Sequence, residues 1–239
     1  MSILFHYNSR LQHQCDHAHA FIKGCKDVLV TDKPDGDADI HIISGPHFAY
    51  NQWKHHDKVL MIDRAYWGDP DCVSIAWLQP DGTRKFASGE ARRDKPTLYE
   101  WKPTWSIPSL KEIRCIVLAD YGQDVTETVK QASKRFPSVQ VRLHPADCKE
   151  PRPLTLEDDV KWADVIVGHS SSALFEAIRY GTPVICTDPN NPVMPVSAAM
   201  HETLYRGDRS KWLHDMSYKQ FSLSEIADGT AWELLKNVL

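Results

Sequence analysis

The sequence lacks any hydrophobic stretch approaching the roughly 18 residues that a membrane-spanning helix needs. The apolar run near its start, within MSILFHYNSR, is also too short for a signal peptide. Its six cysteines include no C-x-x-C pair, and several of them fall within apolar helix or strand patterns. We therefore expect a cytoplasmic protein with reduced thiols and no membrane insertion.

The sequence also has no large excess of positive or negative charge. The formal net charge is −4 at pH 7, which gives nucleic-acid binding no general support. Apolar residues make up 42% of the chain and charged residues 25%, as in ordinary soluble globular proteins. A chain of 239 residues is long enough for one large domain or for two domains of about 110 residues each.

The second half of the chain alternates strand and helix patterns. Apolar runs predict strands over 113–120, 139–144, 164–169 and 183–188. The segments between them predict helices over 124–136, over 155–163 with Thr155 as N-cap, and from the serines at 170–172 to Tyr180. Gly181 follows as the expected end of the last helix. This alternation predicts an α/β fold with a parallel, doubly wound sheet.

The first half has a less regular α/β pattern. It predicts strands over 2–7, 27–32, 39–44 and 58–63, and a hairpin of 73–78 with 84–88 that turns at Asp81 and Gly82. A helix is predicted over 10–25. Its expected apolar stripe consists of Leu11, Cys15, Ala18, Ile22 and Cys25.

A proline-rich segment separates the two halves. Residues 95–112 carry three prolines and no helical period, which is typical of a linker. We therefore predict an N-terminal domain over 1–107, a second domain over 108–221, and C-terminal helices over 222–239. Two S/T-x-x-E pairs, Ser222 with Glu225 and Thr230 with Glu233, predict where these last helices begin.

Three serines follow the third strand of the second half. Parallel sheets bind ligands outside the carboxyl ends of their strands, and a helix N-terminus offers unpaired N–H groups and a partial positive charge. His169, Ser170, Ser171 and Ser172 thus predict a site for a phosphate or diphosphate, and Glu176 could accept hydrogen bonds from a ribose diol. The alternative is that Ser170 only caps the helix and Glu176 lies at the surface.

Polar residues also follow the neighbouring strands. The segment VRLHPAD places Arg142 and His144 at the end of the second strand, beside the serines. Tyr121 and Gly122 follow the first strand and belong to the same predicted site. Together these residues favour an anionic ligand over a simple helix cap.

The combination of RLHP with ADVIVGHSSSALFEAIRYGTPVI resembles the nucleotide-sugar half of glycosyltransferases with the GT-B fold, over residues 113–190. The resemblance is to the capsule-polysaccharide type and to small phage-encoded members, and the same block resembles UDP-N-acetylglucosamine 2-epimerases. It implies two Rossmann-like domains facing across a cleft, with the C-terminal helix crossing back to the first domain.

The resemblance also assigns roles to residues. The serines would hold the diphosphate of a nucleotide-sugar donor, with UDP-glucose or another UDP-sugar expected. Glu176 would hold the ribose, His144 would line the pocket, and no metal would be needed.

Sugar transfer with inversion needs a general base, which we expect in the first half. Asp63 ends an apolar strand and is the first candidate, and its segment IDRAYWG resembles phage members of the group. Asp16, His17 and Asp69 are alternatives. Asp63 could instead pair with Arg64 or cap a turn, and a retaining enzyme would need no such base.

Two further patterns bear on ligands. His13 and His17 lie four residues apart on one helix, but without the glutamate of a zincin motif and without an evident third ligand we predict no metal site. Residues 83–95 are basic and lie near aromatic residues, which is a pattern that can grip DNA. The alternative for them is a solvated hairpin.

These patterns lead to one predicted function and three alternatives. The prediction is a glycosyltransferase that moves a sugar from a nucleotide diphosphate to a hydroxyl, with a hydroxymethylated base in double-stranded phage DNA as the leading acceptor. The alternatives are a surface or capsule polysaccharide glycosyltransferase, a UDP-sugar epimerase or hydrolase, and a non-catalytic nucleotide-sugar binding module.

Overall fold

The computed structural model describes residues 2–26, 28–31, 37–44, 55–66, 71–89, 97–103, 113–150 and 153–239. The chain divides into two compact units. Unit 1 comprises Met1–Asp94 and His214–Leu239, and unit 2 comprises Lys95–Leu213. Asp69 and residues 90–95 of the basic segment 83–95 lie outside the described residues.

The secondary structure is numbered along the chain. The strands are β1 Ile3–His6, β2 Val28–Thr31, β3 Ile40–Ser44, β4 Val59–Arg64, β5 Cys72–Leu78, β6 Arg84–Lys85, β7 Arg114–Leu118, β8 Ser138–Arg142, β9 Val165–Gly168, β10 Val184–Cys186 and β11 Gln220–Ser222. The helices are α1 Gln12–Gly24, α2 Thr126–Arg135, α3 Leu156–Trp162, α4 Ala173–Arg179, α5 Ser210–Ser217, α6 Leu223–Ala227 and α7 Thr230–Lys236.

Unit 1 is built on a mixed sheet with the strand order β11-β5-β4-β3-β1-β2, in which β6 also pairs with β5. Strands β2, β1, β3 and β4 are parallel, while β5 runs antiparallel to β4, β6 and β11. The α/β prediction and the hairpin of β5 with β6 are confirmed. Strand β11 was not predicted; it buries Phe221 completely in the core of this unit.

Helix α1 packs on this sheet with a face that matches the predicted stripe only in part. Ala18 and Cys25 of that stripe are buried, and so are Ala20 and Phe21, whose ring lies 5.6 Å from that of Phe5. The prediction was wrong for Leu11 and Ile22, which are 40% and 44% exposed. Phe21 offers more apolar area than Ile22, and the helix is rotated to bury it.

The C-terminal helices also pack within unit 1. The Trp77 indole N–H donates to the Leu235 carbonyl at 2.9 Å, and the Trp77 and Trp232 rings are 6.4 Å apart. The predicted capping box of Ser222 with Glu225 is confirmed. The box at Thr230 is wrong, because Gly229 is the N-cap there and Thr230 is already helical.

Unit 2 contains a four-stranded sheet in the order β10-β9-β7-β8, with every pair parallel. The predicted alternation of strands with α2, α3 and α4 is confirmed. Thr155 caps α3 as expected and forms a capping box with Asp158. Apolar side chains of β7, β9 and β10 pack with Ala132 and Phe136 to form the core.

Residues 97–103, which fall in the predicted linker, are bound to unit 2. The Tyr99 N–H donates to the Arg179 carbonyl at 2.9 Å, and the Lys102 N–H donates to the Gly181 carbonyl at 2.8 Å. The Lys102 ammonium donates to carbonyls at the C-terminal end of α3, those of Val160, Lys161 and Ala163. Burial lowers the pKa of Lys102 to about 8.

Two arginines of unit 2 also bind segment 97–103. The Arg209 guanidinium lies 3.9 Å from the centre of the Trp101 ring and donates to the Tyr99 carbonyl at 2.6 Å. Arg206 donates to the Lys102 carbonyl. Segment 97–103 is therefore part of the packed surface of unit 2.

Replacing Gly181 by alanine should destabilise unit 2 strongly. Gly181 has a φ of +73°, and a Cβ there would lie 1.9 Å from the Glu100 carbonyl oxygen. We expect Gly181→Ala to lower the free energy of unfolding by about 3 kcal/mol or more, measured by urea denaturation, because left-handed strain and a backbone clash add.

Gly122→Ala is the matched control. Gly122 has a φ of +65° but nothing within 4 Å of the Cβ position, so only the strain of about 1 kcal/mol should remain. Equal losses in the two variants would show that the packing of Glu100 against Gly181 contributes nothing.

Candidate functional site

The carboxyl edge of the unit 2 sheet contains a topological switch point. Strand β7 is joined through α2 to β8 on one side and is paired with β9 on the other. Chains leaving β7 and β9 therefore diverge, and open α/β sheets bind ligands in the crevice formed at such a point. Asp120 follows β7, and His169 and Ser170 follow β9, so the predicted serine turn lies at this position.

A carboxylate already occupies the donors of Ser170. Asp120 Oδ2 accepts the Ser170 backbone N–H at 2.9 Å and its hydroxyl at 2.7 Å. The Asp120 N–H in turn donates to the Gln123 side chain at 3.0 Å, which fixes the turn after β7. The Ser170 N–H and hydroxyl, which the sequence analysis assigned to a phosphate, thus donate to Asp120 of the same protein.

A second aspartate, in the segment after β8, also accepts a backbone N–H group. Asp147 Oδ2 accepts the Gly122 N–H at 2.9 Å. Tyr121 is 72% exposed, and its ring meets the His144 ring edge-on with the centroids 5.7 Å apart. His144 Nδ1 accepts the Ala146 N–H at 3.2 Å, so the neutral ring carries its proton on Nε2 and can donate from there.

The other residues of the serine turn make different contacts from Ser170. His169 Nδ1 lies 3.0 Å from Thr187 Oγ1, which links the ends of β9 and β10. Ser171 Oγ accepts the Ala173 N–H at 3.3 Å. Ser172 is the N-cap of α4 and makes no side-chain capping bond. Ser170 therefore is not the helix cap that the alternative interpretation assumed.

Two predicted donor-site residues have structural partners. Arg142 forms an ion pair with Asp159 of α3, and the two side chains are 13% and 5% exposed. Glu176 Oε2 lies 3.5 Å from Arg179 Nη1 on the same helix. The structure thus brings Asp120 to Ser170 and Tyr121 to His144, whereas Arg142 is held against α3. Sequence reasoning missed Asp120 and Asp147, although each follows a strand pattern closely.

In unit 1, Asp63 also has a charged partner. Its Oδ2 lies 3.0 Å from Arg84 Nη2, and its Oδ1 accepts the Arg64 backbone N–H at 2.8 Å. Arg84 belongs to the basic segment that suggested DNA. The Asp63 carboxylate is therefore held by hydrogen bonds to residues of β4 and β6.

His17 lies on α1, which follows β1, and contacts the end of β3, the strand that pairs with β1 in the unit 1 sheet. Its Nδ1 lies 3.1 Å from Ser44 Oγ at the end of β3, and the His13 ring meets it edge-on at 5.8 Å. Burial and then the charge of His13 lower the pKa of His17 to about 4, against the opposing effect of Asp16. Asp16 accepts a hydrogen bond from Gln12 at 2.8 Å.

The described residues contain no group of three His, Cys, Asp or Glu side chains placed to hold a metal ion. In the same part of the chain, every helix is too short or too polar to cross a membrane.

Comparisons with known proteins find similarity at the level of structure. No family model and no curated protein matches the sequence. A solved chain described as Thermosulfurimonas dismutans KpsC, beta Kdo 2,7 transferase, is similar over 98% of this chain and 99% of its own length, with a TM-score of 0.57 and 10% identity. The fold of that chain is therefore shared.

A second solved chain, described as the beta Kdo 2,4 transferase of the same KpsC, is 13% identical. The match covers 95% of this chain and 89% of that one, with a TM-score of 0.47.

Stability of unit 1 should decrease on acidification. The folded-state pKa values of His17 and His41 are both lowered, mainly by burial, so the unfolded chain binds more protons once the pH falls below 6.5. The free energy of unfolding should be highest above pH 6.5 and should fall as the pH approaches 4.

Urea denaturation of the wild type and of His17→Gln at several pH values measures this effect. The variant lacks one of these two histidines with a lowered pKa, so its unfolding midpoint should depend less on pH. An identical pH dependence in both proteins would contradict the burial of His17 as a neutral ring.

Proposed function

We propose that this protein is a glycosyltransferase that moves a sugar from a nucleotide sugar to a hydroxyl of a glycan. The observation that carries the proposal is the shared fold, over nearly the whole of both chains, with a protein described as a Kdo transferase. The proposal includes the two-domain GT-B arrangement, with the donor bound by unit 2 and the acceptor by unit 1.

The donor would bind at the carboxyl edge of the unit 2 sheet. Its phosphate would contact the serine turn of Ser170, Ser171 and Ser172, while Tyr121, Gly122, His144 and His169 line the crevice. Glu176 would hold the ribose, and a UDP-sugar is the expected donor. Because Arg142 is paired with Asp159, N–H groups, hydroxyls and imidazoles rather than this guanidinium would donate hydrogen bonds to the phosphate, without a metal ion.

A surface or capsule glycan fits as acceptor better than a DNA base. The protein that shares the fold is described as a transferase of Kdo, which is a sugar. Of the basic residues that suggested DNA, Arg84 is paired with Asp63. The DNA acceptor predicted from the sequence thus has no support in these comparisons.

Three of the four candidates for the general base lie among the described residues, and they differ in their surroundings. Asp63 is held by the Arg84 guanidinium, and Asp16 accepts a hydrogen bond from Gln12. Burial lowers the pKa of His17 to about 4, which weakens this imidazole as a proton acceptor near pH 7. We therefore propose Asp63 as the base and keep Asp16 and His17 as the alternatives.

Release of free nucleotide from a panel of donors tests the function. The panel would contain UDP-glucose, other UDP-sugars and nucleotide-activated Kdo, each with capsule-type oligosaccharides, with hydroxymethylated DNA, or with no acceptor. We expect turnover with a glycan only. Turnover with DNA would restore the first prediction, turnover without acceptor would indicate an epimerase or hydrolase, and binding without turnover would indicate a non-catalytic module.

Removing the charge of Asp120 should strengthen donor binding. An asparagine keeps an oxygen that accepts from Ser170 but removes the negative charge that a phosphate must approach. At a separation of about 4 Å in water such a repulsion amounts to about 1 kcal/mol, so the Kd of Asp120→Asn for nucleotide should fall about fivefold in calorimetry.

Glu202→Gln provides a control with the same change in charge at the opposite edge of the sheet. Arg135, at the C-terminal end of α2, donates to the Glu202 carbonyl at 2.6 Å, which places Glu202 away from the serine turn. Its affinity should match the wild type. Weaker binding by Asp120→Asn would mean that the carboxylate contacts the ligand itself.

A further inference from the structure

We propose that Tyr121 is a stacking platform on which the nucleobase of the donor lies. This inference rests on the proposed glycosyltransferase function, and it assigns the base and the phosphate of the nucleotide to different sides of the unit 2 crevice. All the residues that carry it belong to unit 2. The contacts that support it therefore lie within one unit.

Tyr121 combines an exposed ring with a fixed backbone. It is 72% exposed, more than any other large hydrophobic side chain among the described residues. The turn that carries it is held on both sides, because the Asp120 N–H donates to the Gln123 side chain at 3.0 Å and the Gly122 N–H donates to Asp147 at 2.9 Å. A ring on a turn that is already ordered loses little conformational entropy when a ligand covers it.

His144 contacts the tyrosine ring from one direction only. The two rings meet edge-on, with their centroids 5.7 Å apart and an angle of 68° between their planes. Such a contact covers at most one face of the Tyr121 ring, and the high exposure of this residue leaves the other face open. His144 is itself held, because its Nδ1 accepts the Ala146 N–H at 3.2 Å. An open aromatic face in a set orientation is the geometry on which flat π systems stack.

Charge decides which part of the donor lies on this ring. Asp147, in the segment after β8, accepts the N–H of Gly122, the residue that follows Tyr121. A phosphate at this position would meet a like charge, whereas a nucleobase is uncharged and offers N–H groups that a carboxylate can accept. Asp120 is bonded to Ser170 and borders both positions, so it favours neither. The hydroxyl groups of the serine turn, in contrast, can donate to a phosphate.

The spacing of the strands suits this orientation of the nucleotide. Strands β8, β7 and β9 lie side by side in that order. Tyr121 follows β7 and the serine turn follows β9, so the two positions start about 5 Å apart, which is one strand spacing. In a nucleotide, one ribose ring separates the base from the phosphate. A single nucleotide can therefore place its base on Tyr121 and its phosphate at the serine turn.

Ligands with and without a base test the proposal. The probes are ribose 5-phosphate, the nucleotides UMP, CMP, AMP and GMP, which add only the base, and UDP-glucose, with binding followed by NMR titration. We expect Tyr121→Ala to raise the Kd of the nucleotides that the wild type binds about tenfold, because one base–aromatic stack is lost. The Kd of ribose 5-phosphate should not change. Tyr121→Phe keeps the ring and should bind nucleotides as the wild type does.

Tyr99→Ala is the matched control. Tyr99 is also an exposed tyrosine of unit 2, but its N–H donates to the Arg179 carbonyl at the C-terminal end of α4, whereas the serine turn precedes the first residue of this helix. Its nucleotide Kd should equal that of the wild type. Equal losses of affinity in Tyr99→Ala and Tyr121→Ala would overturn the inference, because they would show a general weakening of unit 2.

Other results would also overturn it. An unchanged nucleotide Kd in Tyr121→Ala would do so, and an equal loss for ribose 5-phosphate would assign Tyr121 to the shape of the turn instead. A loss for UDP-glucose without a loss for UMP would place the sugar, not the base, on the ring. If nucleotides bind as expected but no sugar is transferred, the proposed function fails while the platform stands. If sugar is transferred and Tyr121→Ala binds like the wild type, only the platform fails.

Discussion

Parallel pairing of β7 with β8 and β9 is the constraint on which the unit 2 site depends. Parallel strands end at a common edge, so residues far apart in the sequence, such as Asp120 and Ser170, are brought within hydrogen-bonding distance. The parallel strands of unit 1 do the same for Ser44 and His17, since α1 starts where β1 ends. In both units, the candidate groups belong to segments that follow strands or to the helix that comes next.

Two carboxylates occupy hydrogen-bond donors at the carboxyl edge of the unit 2 sheet. Two backbone N–H groups that an anion could use, those of Gly122 and Ser170, are satisfied by Asp147 and Asp120. Such internal partners hold the turns in place without a ligand. A ligand with a phosphate has to compete with these side chains, and its hydroxyl groups can use the same carboxylates as acceptors.

Much of the fold could be predicted, because periodicity reports which segments are strands and helices. Thr155 and Ser222 were identified as caps since their partners lie three residues away in the sequence. Strand β11 has only three residues and no visible period, and it exists because β5 offers it a free edge. The orientation of α1 depends on how Phe21 packs against the sheet, and that packing cannot be read from the sequence alone.

The sequence predicted which strand ends the candidate residues follow, but it predicted less of the contacts that these residues make. The ends of the strands were located from their apolar runs, and His144 and Ser170 do follow them. The partner of Arg142 is Asp159, 17 positions along on α3, and such a pairing depends on how the helix packs. Asp120 was overlooked because a single aspartate after a strand carries no pattern of its own.

Helix α3 is held from two directions within unit 2. The Lys102 ammonium donates to carbonyls of its last turn, while Asp159, in the middle of the helix, pairs with Arg142 at the carboxyl end of β8. One short helix thus fastens both segment 97–103 and the last residue of β8. A substitution that unfolded α3 would release both segments, although they are about 40 residues apart in the sequence.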